Sequence, residues 1–352
     1  MVGFLVFDMD LVGHSAEFLI PDLQRYKKEG YWYIYPMGCG KYDLVTVLGH
    51  TAGGKTAFAA RLADRIGGEV ISADSRQVYR GMDIGTGKDY DDYLVDGRRV
   101  PVHLIDHVEA GREYNVYLFK QDFFRVCNDL IHRGVTPVLC GGTGLYIESV
   151  LRNYRMLHVP VNKELREDLE SKSFGELEGM LKLYGPLHNV TDTVNRKRLV
   201  RAIEIAMYQS AHRDRPAHPD RSASEEQEWP LKSRVLGISF ERTVRRQRIT
   251  RRLIERLNNG MVEEVERLLE SGIPSRKMDY YGLEYRYVNQ YIQKEITYDE
   301  MVERLNTAIH RFAKRQMTYF RGMERRGIRI HWIEGSMPME EKLERAMEML
   351  AT

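Results

Sequence analysis

Residues Gly49-His50-Thr51-Ala52-Gly53-Gly54-Lys55-Thr56 constrain this chain more than any other stretch. They fit G-x-x-x-x-G-K-[ST], a loop that cradles phosphates. The flanks fit as well. Leu44-Val45-Thr46-Val47-Leu48 is an apolar, β-branched run that reads as a buried strand. Ala57-Phe58-Ala59-Ala60-Arg61-Leu62-Ala63 carries helix formers with apolar residues three and four apart. In such a strand–loop–helix unit, backbone N–H groups close around phosphate oxygens and the helix N-terminus adds partial positive charge. Gly49, Thr51, Ala52, Gly53 and Gly54 would line the loop. Lys55 would reach the terminal phosphates, and the Thr56 hydroxyl would hold Mg²⁺. The competing reading, a tight turn with a surface lysine, explains the motif but not its context. A di- or triphosphate ligand follows; the chemistry does not.

The rest of the chain bounds that chemistry. Its 352 residues leave room for about two domains. No apolar run approaches the ~20 residues of a membrane span, and the acid-bearing start is not a secretory signal. Cys39, Cys127 and Cys140 are scattered and form no C-x-x-C, which favours a reducing cytoplasm over disulfides or zinc. Net charge is only +2, but arginine is clustered. The clusters are Arg196 to Arg201, Arg242 to Arg256, and Arg311 to Arg326. Each is either a phosphate footprint or a solvated helical face.

Organisation reads as follows. Residues 1–40 form an N-terminal extension outside the core fold, with a short added hairpin as the rival reading. Residues 41–154 alternate strand and helix, which implies a parallel sheet with its ligand at the strands' carboxyl ends. Residues 155–210 carry amphipathic helices with no strand, an all-helical insertion. Residues 211–230 are polar and proline-bearing, a mobile loop. Residues 231–352 return to the core with one strand, Arg234 to Phe240, followed by helices at 242–270, 298–325 and from Met339.

Two further stretches bear on chemistry. Asp74 follows the strand Val70 to Ala73, so it faces the ligand side of the sheet. It lacks the apolar run before it that a Walker-B aspartate has. A carboxylate near a leaving pyrophosphate suits a general base; a helix N-cap is the structural alternative. Gly141-Gly142-Thr143-Gly144, at the end of a strand, permits close approach of a ligand.

Taken together, these motifs resemble one family. They are the phosphate loop, Asp74-Ser75-Arg76-Gln77-Val78-Tyr79, Met82-Asp83-Ile84-Gly85-Thr86 with Lys88, His103-Leu104-Ile105-Asp106, Gly141 to Tyr146, Arg198 with Arg201 and Glu204, and Ala313-Lys314-Arg315-Gln316 with Thr318, Phe320 and Arg321. In this order they resemble the bacterial tRNA dimethylallyltransferases, or tRNA isopentenyltransferases, from about residue 43 to 322. The resemblance implies a P-loop NTPase-like α/β fold with a helical insertion. It implies a Mg²⁺-assisted transfer of dimethylallyl from dimethylallyl diphosphate to N6 of adenosine 37, beside the tRNA anticodon. The loop would then hold a departing pyrophosphate. Asp74 would be the base, and Arg252 or Arg248 would add a donor to the leaving group, Arg252 being favoured. Asp74, Ser75, Arg76, Gln77 and Thr143 would meet the flipped adenosine or its neighbours. Lys197-Arg198-Leu199-Val200-Arg201 would grip the anticodon stem-loop. A cytoplasmic monomer without membrane contact is expected. The sequence departs from the family pattern at His50, commonly proline, at Gly53, commonly serine, and at Tyr281-Gly282-Leu283-Glu284-Tyr285, more usually Ile-Gly-Tyr-x-Glu. No C-x-x-C with paired histidines follows, so a zinc-finger extension is not expected, and His103 and His107 read as structural rather than metal-binding. The alternatives are an adenylate isopentenyltransferase acting on free AMP, ADP or ATP, and a P-loop small-molecule kinase.

Overall fold

The computed structural model describes residues 6–7, 23–28, 31–36, 41–154, 156–184, 195–212 and 231–352. Strands β1 (Val6–Phe7), β2 (Leu23–Lys28) and β3 (Tyr31–Pro36) form an antiparallel sheet of their own, in the order β1-β3-β2.

The core begins at β4 (Leu44–Gly49), which feeds α1 (Lys55–Arg65) and then β5 (Gly68–Ser72). A small hairpin, β6 (Leu94–Val95) and β7 (Arg98–Arg99), turns at Asp96-Gly97 with φ of 47° and 77°. An Asp-Gly pair with both φ positive matches the twist of a two-residue hairpin. Next come β8 (Val102–His103), α2 (Val116–His132), β9 (Thr136–Gly141) and α3 (Gly144–Leu151). The helices α4 (Lys163–Glu170), α5 (Phe174–Lys182) and α6 (Arg196–Ala211) follow. The chain then forms β10 (Ser233–Ser239), α7 (Arg242–Asn258), α8 (Met261–Glu270), α9 (Met278–Tyr281), α10 (Leu283–Ile292), α11 (Tyr298–Arg325), β11 (Ile330–Glu334) and α12 (Met339–Ala351).

Six strands make one all-parallel sheet, in the order β11-β10-β4-β9-β5-β8. Side chains alternate between its faces. Leu44, Leu48, Leu139 and Val235 join one apolar cluster, while Val45, Val47, Val138 and Leu236 join another. Parallel strands buried on both faces read as near-continuous apolar runs, which is why β4 and β9 were visible in the sequence. On α1, Phe58 and Leu62 are fully buried, each contributing about 1.5–3 kcal/mol of burial energy.

Several elements differ from the sequence reading. Strand β8 is only Val102–His103, because the chain turns at Leu104 and Asp106, with φ of 59° and 50°. The stretch after 242 is not purely helical: β11 adds an edge strand whose neighbour is β10. The helix expected at 242–270 breaks at Gly260, with φ of 94°. The first helical stretch of the insertion breaks before α5, where Ser173 and Glu176 form a capping box. Helices α9 and α10 were not anticipated.

The chain divides into two compact units, Met1–Tyr154 with Glu228–Thr352, and Arg155–Gln227. The second has its own core of Leu169, Leu177, Leu181, Leu199 and Ile203. The expected mobile loop lies, from residue 213 to 230, outside the described residues. Among the described residues, no helix is long and apolar enough to cross a membrane.

Candidate active site

The carboxyl ends of β4, β5, β9 and β10 bring four connections to one edge of the sheet. The phosphate loop leaves β4 at Gly49, where a β-carbon would sit 2.5 Å from the Ile238 carbonyl oxygen of β10. Ala52 and Gly54 take φ of 57° and 66°, curling the backbone into α1. Lys55 opens that helix, and its Nζ donates to the His50 carbonyl at 2.8 Å. Burial lowers the Lys55 ammonium below its usual range, Asp74 works against that shift, and Arg252 adds to it. Among the described residues, the Thr56 hydroxyl has no hydrogen-bond partner.

The two unusual loop residues have a physical account. His50 is fully buried. Its Nδ1 lies 2.7 Å from the Thr51 carbonyl, an acceptor, so Nδ1 carries the proton. Its ring meets Phe240 edge-on at 5.9 Å, and Arg248 lies 4.6 Å over the same Phe240. Arg248 Nε then donates to the Ala52 carbonyl at 3.0 Å, latching the loop from α7. At Gly53 a β-carbon would be 2.8 Å from the His50 carbonyl oxygen, so glycine relieves that contact.

Burial pushes the His50 imidazole down from 6.5 to about 4. Between those values the unfolded chain binds the proton and the folded chain does not. The His50 contribution is therefore complete above pH 6.5 and is lost as pH falls towards 4. It amounts to about 3 kcal/mol. Urea unfolding midpoints measured across this window should fall with acid in the native protein and flatten in His50→Gln. Equal slopes in both would show that His50 does not carry the effect.

The Asp74 loop follows β5. Asp74 Oδ1 accepts from the Arg76 and Gln77 amides at 2.9 and 3.4 Å, so the aspartate caps its own turn. Its Oδ2 has no hydrogen-bond partner among the described residues. Ser75 N donates to Thr143 Oγ1 at 3.1 Å, joining the loops after β5 and β9. Gln77 Nε2 donates to the Gly87 carbonyl at 2.8 Å. The Arg76 guanidinium lies 5.3 Å over the Tyr280 ring. Gln316 of α11 ties the site together: its Oε1 accepts from Thr51 N and its Nε2 donates to the Gly142 carbonyl, both at 2.9 Å. Gln316→Ala leaves that buried N–H and C=O unpaired, at about 1–3 kcal/mol of desolvation. A denaturant midpoint lowered by that amount, with looser diphosphate binding, is expected; an unchanged midpoint would show that water replaces the amide.

The loop from Met82 to Lys88 is held by Glu264, whose carboxylate accepts from the Asp83, Ile84 and Gly85 amides at 2.8, 2.7 and 3.0 Å. Tyr285 donates to the same carboxylate at 2.7 Å. Arg252 of α7 pairs with Asp89 and lies 3.4 Å from the Gly87 carbonyl. Arg248 thus touches the phosphate loop itself, while Arg252 stands at its rim.

Sequence reasoning singled out Asp74, Lys55, Arg248 and Arg252, counted Arg256 only within the arginine cluster, and missed Glu264 and the pairing of Arg256 with Glu284. An acidic residue on an amphipathic helix carries no local signal that three backbone amides await it. In the second unit, Lys197 and Arg198 are exposed on the first turn of α6. Leu199 is fully buried in that unit's core and Val200 packs against it. Arg201 is engaged by Glu204 and the Val159 carbonyl. His103 pairs with Glu69 at 2.6 Å and His107 with Asp122 at 3.0 Å. Among the described residues, no three His, Cys, Asp or Glu side chains are grouped to hold a metal ion.

Comparison with known proteins agrees with this geometry. The family model described as IPP transferase matches residues 77–323, and that described as isopentenyl transferase matches residues 42–111. The chain is 53% identical over 303 residues to tRNA dimethylallyltransferase 2 of Bacteroides fragilis, covering 86% of this chain and 96% of that protein. It is 51% identical over 309 residues to tRNA dimethylallyltransferase 1 of Parabacteroides distasonis, covering 88% and 98%. Among solved structures, the tRNA isopentenylpyrophosphate transferase of Bacillus halodurans aligns with a TM-score of 0.62 at 29% identity, over 88% of this chain and 96% of that one. A eukaryotic dimethylallyltransferase acting on tRNA shares the fold, with a TM-score of 0.65 at 21% identity, over 83% and 73%. A family model spanning most of the core and relatives sharing half their residues place the chain beyond its motifs: it belongs to the IPP transferase family, with the bacterial-type tRNA dimethylallyltransferases.

Proposed function

We propose that this protein transfers a dimethylallyl group from dimethylallyl diphosphate to N6 of adenosine 37 in tRNA, releasing pyrophosphate. The observation that carries this reading is the convergence of a phosphate loop, Asp74 and the α7 arginines on one sheet edge. The N6–C1 bond forms as the allylic C1–O bond breaks, and the pair of electrons leaves with pyrophosphate. The exocyclic amine of adenine is a poor nucleophile, so its proton passes to the Asp74 carboxylate. Loop N–H groups of Gly49, Ala52, Gly53 and Gly54, with Lys55, stabilise charge developing on the leaving oxygens, while the Thr51 amide stays on Gln316. Arg248 fixes the loop's shape, and Arg252 adds positive charge at its rim.

Mg²⁺ fits this site only in one way. The described residues offer no carboxylate cage, but the free Thr56 hydroxyl suits a hydrated ion that takes its other ligands from substrate phosphates. Bound there, the ion would neutralise diphosphate charge.

The adenosine must leave the anticodon stack to meet Asp74. Ser75, Arg76, Gln77 and Thr143 surround that aspartate. The exposed Lys197 and Arg198 suit the phosphate backbone of the anticodon stem-loop. Leu199 and Val200 support that surface from within, and Arg201 shapes it through Glu204. The relatives' names favour tRNA over free adenine nucleotides as acceptor. We infer a monomer working in the cytoplasm, where its tRNA substrate is.

The test uses labelled dimethylallyl diphosphate with unmodified tRNA in one reaction and AMP in another. Label in tRNA supports the proposal. Label on AMP alone identifies the adenylate enzyme, and label in neither refutes transfer.

A further inference from the structure

Helix α7 carries a further arginine, Arg256, one turn beyond Arg252. The Arg256 side chain is 13% exposed, and among the described residues it pairs with Glu284 of α10, 20% exposed, with Nη1 and Oε1 3.7 Å apart. Its Nη2 is buried with no hydrogen-bond partner among the described residues. Burial and the like charge of Arg252 pull the guanidinium down to about 10, so it stays protonated at neutral pH. Burial pushes the Glu284 carboxyl up, and Arg256 opposes that shift.

Such a pair is poorly suited to stabilising a fold. Desolvating two charges costs several kcal/mol, and apolar residues of similar volume usually serve as well or better. The pair's surroundings point to another role. A β-carbon on Gly87 would lie 1.5 Å from Arg256 Nη2 and 2.7 Å from Arg252 Nη2. Both guanidinium groups thus lie against the side of Gly87 where a side chain would project, and its φ of +70° also favours glycine. Its carbonyl is the acceptor for Gln77 Nε2 at 2.8 Å and for Arg252 Nη2 at 3.4 Å. One peptide oxygen therefore aims a side chain of the acceptor loop and a side chain of the diphosphate rim. Glu284 belongs to the segment that departs from the family pattern, and the sequence carries no signal of its pairing with Arg256.

We propose that Arg256, held by Glu284, is a positioning residue for the transfer. Its guanidinium is the stop against which Gly87 rests. Through the Gly87 carbonyl it orients Arg252 towards the diphosphate and Gln77 towards the acceptor base. This rests on the function proposed above.

The test compares Arg256→Met with the double variant R256M/E284L in the full-length protein. Three quantities are read: the thermal unfolding midpoint, kcat with KM for dimethylallyl diphosphate, and the Kd of inorganic pyrophosphate. Arg256→Met leaves Glu284 buried without its cation, so its midpoint falls. The double variant removes both charges and recovers the midpoint. Its kcat stays about tenfold to a hundredfold down, as expected for a misplaced site, and pyrophosphate binds several-fold more weakly. Recovery of kcat together with the midpoint would make the pair structural only and overturn the proposal. Native pyrophosphate affinity in the double variant would overturn it as well. Pyrophosphate binding needs no turnover, so it judges Arg256 even if the wild-type protein fails to prenylate tRNA, an outcome that would instead refute the function.

Discussion

Asp74→Asn should lower prenyl transfer by about 10²–10⁴-fold, the range for loss of a general base, while tRNA binding stays close to native. The geometry separates the two effects. Asp74 Oδ1 accepts from the Arg76 and Gln77 amides. An asparagine carbonyl accepts the same bonds, so the turn keeps its shape. What changes is Oδ2, the oxygen without a partner among the described residues. In asparagine it becomes an NH₂ group, which cannot take the proton from N6. Single-turnover transfer alongside filter binding of tRNA measures both quantities. If tRNA binding collapses with activity, the aspartate is a structural cap. If transfer survives, another group is the base.

Lys55→Ala should cost about 10²–10³-fold in kcat, as for the loss of one oxyanion donor, with weaker binding of pyrophosphate. Lys55 Nζ reaches back across the loop to the His50 carbonyl. On the proposed function this is where leaving-group oxygens arrive, and the ammonium is within electrostatic reach of Asp74 and Arg252. Alanine removes both the charge and the strut across the loop. Unchanged turnover and pyrophosphate affinity would assign the leaving-group charge to the α7 arginines alone.

Much of the fold was legible because its signals are local. β4 and β9 are apolar runs bounded by glycine, and α11 is announced by the capping box of Thr297 and Glu300. Edge strand β11 was not legible: it is short, follows a long helix, and is stabilised by pairing with β10, which is distant in the chain. The site divides in the same way. The candidates Lys55, Thr56 and Asp74 lie in contiguous motifs. Gln316 and Glu264 hold backbone groups far away in sequence, at Thr51 and Gly142 and at Asp83 to Gly85, and Arg256 packs beside Gly87. Only the folded chain shows what those backbone groups need. The departures at His50 and Gly53 became intelligible in the same manner, through the buried ring against Phe240 and the crowded His50 carbonyl.

On the proposed function, this phosphate loop holds a leaving pyrophosphate rather than a nucleotide's transferable phosphate. The most direct measurement counts products in one reaction containing tRNA, dimethylallyl diphosphate and γ-labelled ATP. One pyrophosphate released for each adenosine prenylated at N6, with the ATP label untouched, is the predicted result. Orthophosphate released from ATP, or phosphate transferred from it, without prenylated adenosine would show that the loop serves a nucleotide's transferable phosphate instead.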